Sequence, residues 1–76
     1  MRKLLKIEPD TNYFLTCHFD DGTVKRINLS SLLNYPVFAP LKNESVFKTI
    51  KNKSYFVEWE GYDIDLSADT LWSFKG

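Results

Sequence analysis

The sequence predicts an α+β domain: an antiparallel sheet of four to five strands, drawn from two hairpins, with one or two short helices packed on one face. Three observations lead there. Apolar residues alternate with polar ones on either side of two turn signals. The last ten residues instead open on Ser67 and run into helix-forming residues. The 76 residues contain no repeat, linker or low-complexity tract, so residues 1–76 form a single domain.

Leu4, Leu5 and Ile7, followed by Pro9, make a short first strand ended by a turn. In YFLTCHF, Tyr13, Leu15, Cys17 and Phe19 share one face, and Phe14, Thr16 and His18 the other. The DDG that follows selects the register. A two-residue loop would set Cys17 opposite Arg26. A three-residue loop, Asp20-Asp21-Gly22, sets Leu15 opposite Ile27 and Tyr13 opposite Leu29, keeps one face apolar, and puts Gly22 at the left-handed position.

After Asn28 the rhythm changes. Leu29, Leu32 and Leu33 stand at helical spacing, with Ser30 and Ser31 as candidate caps, in a run too short to be a helix alone. Pro36 and Pro40 then predict a turn or 3₁₀ segment with Val37, Phe38 and Leu41 turned inward. A second hairpin is read with Val46, Lys48 and Ile50 on one strand and Tyr55, Val57 and Trp59 on the other. A turn around Asn52-Lys53 sets Ile50 opposite Tyr55 and Val46 opposite Trp59. Ile64 and Leu66 add an extended piece. Ser67 then caps a closing helix, with Asp69 in its first turn where the helix dipole favours negative charge.

A chain this small hides only roughly 60–65% of the surface its unfolded form exposes. Cys17 is the one cysteine, which excludes a disulfide and a multi-thiolate zinc site. Six Phe, four Tyr and two Trp must supply the burial instead. Ten basic and ten acidic residues cancel, unlike the basic excess of a general nucleic-acid binder. No apolar run reaches the roughly 18–20 residues of a membrane span, and MRKLLKIEPD does not read as a secretion signal. The expected compartment is cytoplasmic, with no membrane partner.

Catalytic motifs are missing from the pattern. Cys17 and His18 are adjacent on a strand and face opposite ways, so they cannot pair as nucleophile and base. No serine lies in a G-x-S-x-G setting, and three glycines build neither a P-loop nor a dinucleotide fingerprint. No enzyme activity, cofactor or metal is expected. Glu58 and Glu60 fall on one strand face about 6.5–7 Å apart, opposite Val57 and Trp59, and so on the water side with no cleft. Asp63 and Asp65 form a D-x-D, too few oxygens for a calcium site.

Charge is unevenly spread. Residues 42–53 hold four lysines against Glu44, whereas residues 58–69 hold five acids and no base. Such a dipolar surface steers a charged partner. Phe14 and Phe56 fall on outward faces, either covered by a helix or acting as interface anchors.

The order F-D-D-G (Phe19 to Gly22), Asn28-Leu29, Leu32-Leu33, Val37-Phe38, Leu41, Phe47, Glu58-Trp59, G-Y-D-I (Gly61 to Ile64) and A-D-T-L-W resembles the small bacterial family called domain of unknown function 2442. The resemblance spans nearly the whole chain. Asn28 departs from it, where Asp is more usual, as does Trp72, where Tyr is expected. The resemblance implies a compact α+β domain. It also implies a binding role, because relatives are often encoded beside another small protein in an arrangement like toxin–antitoxin pairs. Some longer relatives carry a helix-turn-helix domain after this one; residues 1–76 hold no such motif, so DNA reading is not carried over.

The functional expectation is a non-enzymatic protein-interaction module, antitoxin-like or regulatory, whose partner is another small protein. Its partner-binding residues would be Glu58, Glu60, Asp63, Asp65 and Phe14. The alternative is a nucleic-acid-associated transcriptional regulator component using Lys25, Arg26, Lys48, Lys51 and Lys53.

Overall fold

The first hairpin adopts the register its pattern predicts. The computed structural model, which describes residues 2–76, pairs β1 (Leu4–Pro9) with β2 (Phe14–Phe19) and β2 with β3 (Val24–Asn28), all antiparallel. Leu15 lies opposite Ile27. The amide of Phe19 donates to the Thr23 carbonyl, which closes the three-residue loop, and Gly22 takes φ 91°. That left-handed backbone is why DDG serves as the turn.

The strand β1 runs on through Pro9, so the turn comes one residue later than expected. Asp10 caps a 3₁₀ turn, Thr11–Tyr13, by accepting from the Thr11 amide. Asn12 and Tyr13 both have left-handed backbone, φ 58° and 66°, an uncommon conformation for residues with a Cβ. Contacts from distant chain hold it: the Asn12 amide donates to Glu44 Oε1 at 2.7 Å, and the Tyr13 hydroxyl donates to the Lys42 carbonyl.

Two 3₁₀ segments follow, Ser30–Asn34 and Pro36–Lys42. The second matches the expectation from the two prolines. Neither Ser30 nor Ser31 caps the first. Leu41 is buried and Phe38 half-buried, but Val37 points outward and is 61% exposed.

The second hairpin departs from the expected one. Val46 is not in a strand. Glu44–Phe47 forms a one-turn helix, α1, capped by Asn43, whose side chain accepts from the Ser45 amide. The incoming strand is only β4, Lys51–Asn52, paired with β5, Phe56–Trp59, so that Lys51 faces Glu58 and Asn52 faces Val57. The turn lies at Ser54 and Tyr55, not at Asn52-Lys53: the Lys53 amide donates to the Phe56 carbonyl, and Ser54 takes φ 71°. β6 (Ile64–Ser67) adds to β5, and Ser67 caps α2 (Ala68–Ser73) through its hydroxyl, which accepts from the Thr70 amide. That cap and the first-turn Asp69 are as expected.

Among the described residues the six strands form two three-stranded sheets, β1-β2-β3 and β4-β5-β6, in place of the single sheet of four to five strands. The α+β class stands. The sheets meet edge to edge where the Leu4 amide donates to the Ser54 carbonyl at 2.6 Å and Asn52 Nδ2 donates to the Leu4 carbonyl. A bulge between Leu4 and Lys6 and a two-residue β4 leave no continuous ladder there. One core joins the sheets: Leu4, Leu15, Cys17, Phe19 and Ile27 from the first, Val57, Trp59, Ile64 and Leu66 from the second. Leu41, Phe47, Ala68 and Leu71 join it from the helical segments, and Leu29 and Ile50 from the connections. Trp59 lies against Phe47 at a ring separation of 6.1 Å and donates its indole N–H to the Phe47 carbonyl at 2.9 Å.

Candidate functional site

The β5–β6 hairpin positions four of the five residues singled out from the sequence. Val57, Trp59, Ile64 and Leu66 face the core, so the intervening Glu58 and Asp65 face outward, directly opposite one another. The connecting turn at residues 60–63 reverses through two left-handed residues, Gly61 at φ 86° and Asp63 at φ 57°. Glu60 and Asp63 lie in that turn rather than on the strands. The result is a depression of about 210 Å³, lined by Glu58, Glu60, Asp63 and Asp65 with Trp59, Gly61 and Ile64. A flat exposed face was expected. The turn's reversal, which strand alternation cannot convey, makes the face concave.

Antiparallel pairing also changes the charge picture. The lysine-rich and acid-rich segments, separate in sequence, are neighbours across β4 and β5. Lys51 Nζ lies 3.1 Å from Glu60 Oε2. Lys53 Nζ bridges the two glutamates, 3.5 Å from Glu58 Oε1 and 3.6 Å from Glu60 Oε1. The hydrogen bond from Lys51, then its charge and that of Lys53, hold the Glu60 carboxyl below the usual glutamate range. Asp63 and Asp65 have no ion-pair partner among the described residues. Four carboxylates against two ammonium groups leave the depression acidic. Glu58 and Asp65, like charges on facing positions, repel each other. Tyr62, 44% exposed, stands in the same turn, and sequence reasoning did not single it out.

Phe14 lies outside this group. It sits on the outer face of the first sheet, half-buried beneath Arg26, whose guanidinium carbon is 3.7 Å from the ring centroid. The structure therefore separates it from the four carboxylates. Asp69 is also elsewhere, accepting from the Arg2 amide at 3.2 Å.

The thiol and the imidazole point apart, as their adjacency requires. Burial pushes the Cys17 thiol up to about 11, which keeps it protonated and non-nucleophilic near neutrality. His18 Nε2 lies 2.6 Å from Glu8 Oε2 on the outer face. That hydrogen bond, with the charge of Lys6 next, lowers the Glu8 carboxyl from its usual value. Among the described residues no three His, Cys, Asp or Glu side chains converge as metal ligands. Nor is any helix long and apolar enough to cross a membrane.

Several cations of the basic segments are committed to intramolecular contacts. Lys25 donates to the Trp72 carbonyl, and its ammonium lies 5.4 Å from the Trp72 ring. Arg2 covers that ring at 3.6 Å, and Trp72 meets Phe19 edge-on at 4.9 Å. These contacts clamp α2 onto the first sheet.

Residues 4–75 match the model of the family described as Protein of unknown function (DUF2442), and the chain belongs to that family. No curated protein and no solved structure matches the chain.

Proposed function

We propose that this protein is a non-enzymatic interaction module that receives a basic segment of another small protein in the acidic depression of the β5–β6 hairpin. One observation carries the reading: Glu58, Glu60, Asp63 and Asp65 line a single concavity, and among the described residues only the two glutamates have lysine partners. An incoming Arg or Lys would satisfy Asp63 and Asp65 and relieve the Glu58–Asp65 repulsion. Exposed Tyr62 offers an apolar rim of the kind interfaces favour. An antitoxin-like or regulatory role suits a partner of this sort, because the interaction itself is then the activity.

The nucleic-acid alternative has less support. Lys25 is held at Trp72, Arg26 on Phe14, and Lys51 and Lys53 by the glutamates, so four of its five cations are engaged within the chain.

The test is capture from the native host with the wild-type chain and an Asp63→Lys/Asp65→Lys variant, followed by mass spectrometry. Wild type should retain a small protein with a basic surface, less of it as salt rises. The variant, folded as judged by circular dichroism, should lose it. Absence of a partner, or capture indifferent to charge reversal, would refute the proposal.

A further inference from the structure

β3 is the open margin of the first sheet. It pairs with β2 alone, and the register shows which of its main-chain groups that pairing uses. The Phe19 amide donates to the Thr23 carbonyl at one end of the ladder, and the Leu29 amide to the Tyr13 carbonyl at the other. Antiparallel bonding alternates along a strand, so Lys25 and Ile27, opposite Cys17 and Leu15, exchange bonds with β2. Val24, Arg26 and Asn28 therefore direct their amides and carbonyls away from it. Gly76 lies against the Asn28 carbonyl. Among the described residues no hydrogen bond meets the main chain of Val24 or Arg26, and both residues are exposed. The other outer strands offer less. β1 meets the second sheet at Leu4 and carries Pro9, which has no amide hydrogen, while β4 and β6 have only two and four residues.

Charged side chains ordinarily guard such an edge. Here both are drawn off it. Lys25 folds inward to donate to the Trp72 carbonyl. Arg26 lies over the Phe14 ring, 3.7 Å from its centroid. That stacking uses the face of the guanidinium and leaves its in-plane N–H donors free, and Arg26 forms no ion pair among the described residues. We propose that the β3 edge takes an extended acidic segment of another protein as a fourth, antiparallel strand of the first sheet, with a Glu or Asp opposite Arg26. The main chain supplies the docking row, and Arg26 selects the charge. The residues flanking that acid turn to the inner face, where Trp72 is half-buried beside Lys25, and are therefore apolar. A second copy fits worse. The register that uses Val24, Arg26 and Asn28 together sets Arg26 directly opposite the same arginine of the copy, where like charges repel. This inference is independent of the acidic depression.

The probe is the peptide Ser-Thr-Val-Glu-Val-Thr-Ser, blocked at both ends, and the readout is amide hydrogen exchange by NMR on the full chain. Without peptide, the Val24 and Arg26 amides should exchange quickly and those of Lys25 and Ile27 slowly. With peptide at about ten times its Kd, only about a tenth of the edge is open at any moment. The Val24 and Arg26 amides should then slow about tenfold, while those of Lys25 and Ile27 stay slow throughout. Methylating the peptide's Glu nitrogen, which faces β3, should abolish the effect. Methylating the nitrogen of the Val after it, which faces water, should not. Arg26→Glu should ignore this peptide and respond to the version with Lys in place of Glu, its Lys25 and Ile27 amides still protected as evidence of folding. No slowing with peptide at about 5 mM, equal effects of the two methylated forms, or a response indifferent to the charge swap would overturn the proposal. So would inorganic phosphate that slows the same amides, or Val24 and Arg26 amides that protein concentration alone protects, which would give the edge to an anion or to a second copy.

Discussion

Replacing Trp59 by Ala and by Phe separates two contributions that the structure assigns to one side chain. Trp59 is 1% exposed and its N–H is 2.9 Å from the Phe47 carbonyl. Truncation to Ala removes on the order of 200 Å² of buried apolar surface, about 5 kcal/mol at 25 cal/mol per Å² as an upper value. Observed large-to-small aromatic substitutions cost about 3–5 kcal/mol. Whole-domain stability at this length is roughly 4–11 kcal/mol, so the Ala variant should retain little folded protein at 37 °C. The Phe variant keeps a ring against Phe47. It loses the indole donor and leaves a partial void, together about 2 kcal/mol. The Phe47 carbonyl is not stranded, because the Ile50 amide also reaches it, at 3.3 Å. Urea unfolding at 25 °C followed by far-UV circular dichroism is the assay, with an m-value near 1 kcal/mol/M. The midpoint should fall by about 2 M for Phe and beyond measurement for Ala. A Phe variant within about 0.5 kcal/mol of wild type would refute the tie between the indole and the α1 carbonyl. An Ala variant that loses less than about 2 kcal/mol would refute the placement of Trp59 in the core.

Gly22→Ala should lower stability by about 1 kcal/mol, measured as a drop in thermal midpoint: nothing lies within 4 Å of an added Cβ, so the loss comes from φ 91° alone. Stability should also fall with acid. The Glu8, Asp21 and Glu60 carboxyls are all held below their ordinary values of 4.5, 3.8 and 4.5 by, first in each case, hydrogen bonds from His18, the Thr23 amide and Lys51. Groups of lowered folded-state pKa stabilise fully above those ordinary values and lose the contribution as pH falls through the folded ones. Urea midpoints should therefore be flat from pH 7 to about 5 and decline below that. In Lys51→Met the part contributed by Glu60 should shrink to what Lys53 sustains, and an identical acid limb in both proteins would count against the Lys51–Glu60 pair.

The first half of the fold was legible because local rules agreed there. Leu15, Cys17 and Phe19 alternate, DDG demands one loop, and one register keeps the apolar face whole. The second half misled because the same rule was applied where two others won. Val46, Lys48 and Ile50 look like alternate strand positions, yet Asn43 and Glu44 carry the signature of a helix start. A helix of four residues is too short for its period to show. The turn at Ser54 also uses left-handed backbone on a residue that rarely takes it, with only Asn52 Oδ1, accepting from the Ser54 amide at 2.8 Å, to favour it. Moving the turn from Asn52-Lys53 to Ser54 and Tyr55 is also what sets Lys51 opposite Glu58. The four carboxylates were legible as outward residues, because strand parity is enough for that. The concavity they line and the lysines that answer two of them depended on turn geometry and register. What covers Phe14 is neither a helix nor a partner but Arg26, which no sequence rule places over its ring.

The two sheets have a kinetic consequence. Each is a meander of consecutive strands, and its pairings close loops of only a few residues, so chain entropy opposes them weakly. What spans the long intervening segment is mainly side-chain packing, since among the described residues a single main-chain hydrogen bond, from Leu4 to Ser54 in the β4–β5 turn, joins the sheets. The topology therefore favours rapid, separate formation of each meander. Their mutual docking through Trp59, Phe47 and Leu4 is left as the late, cooperative step.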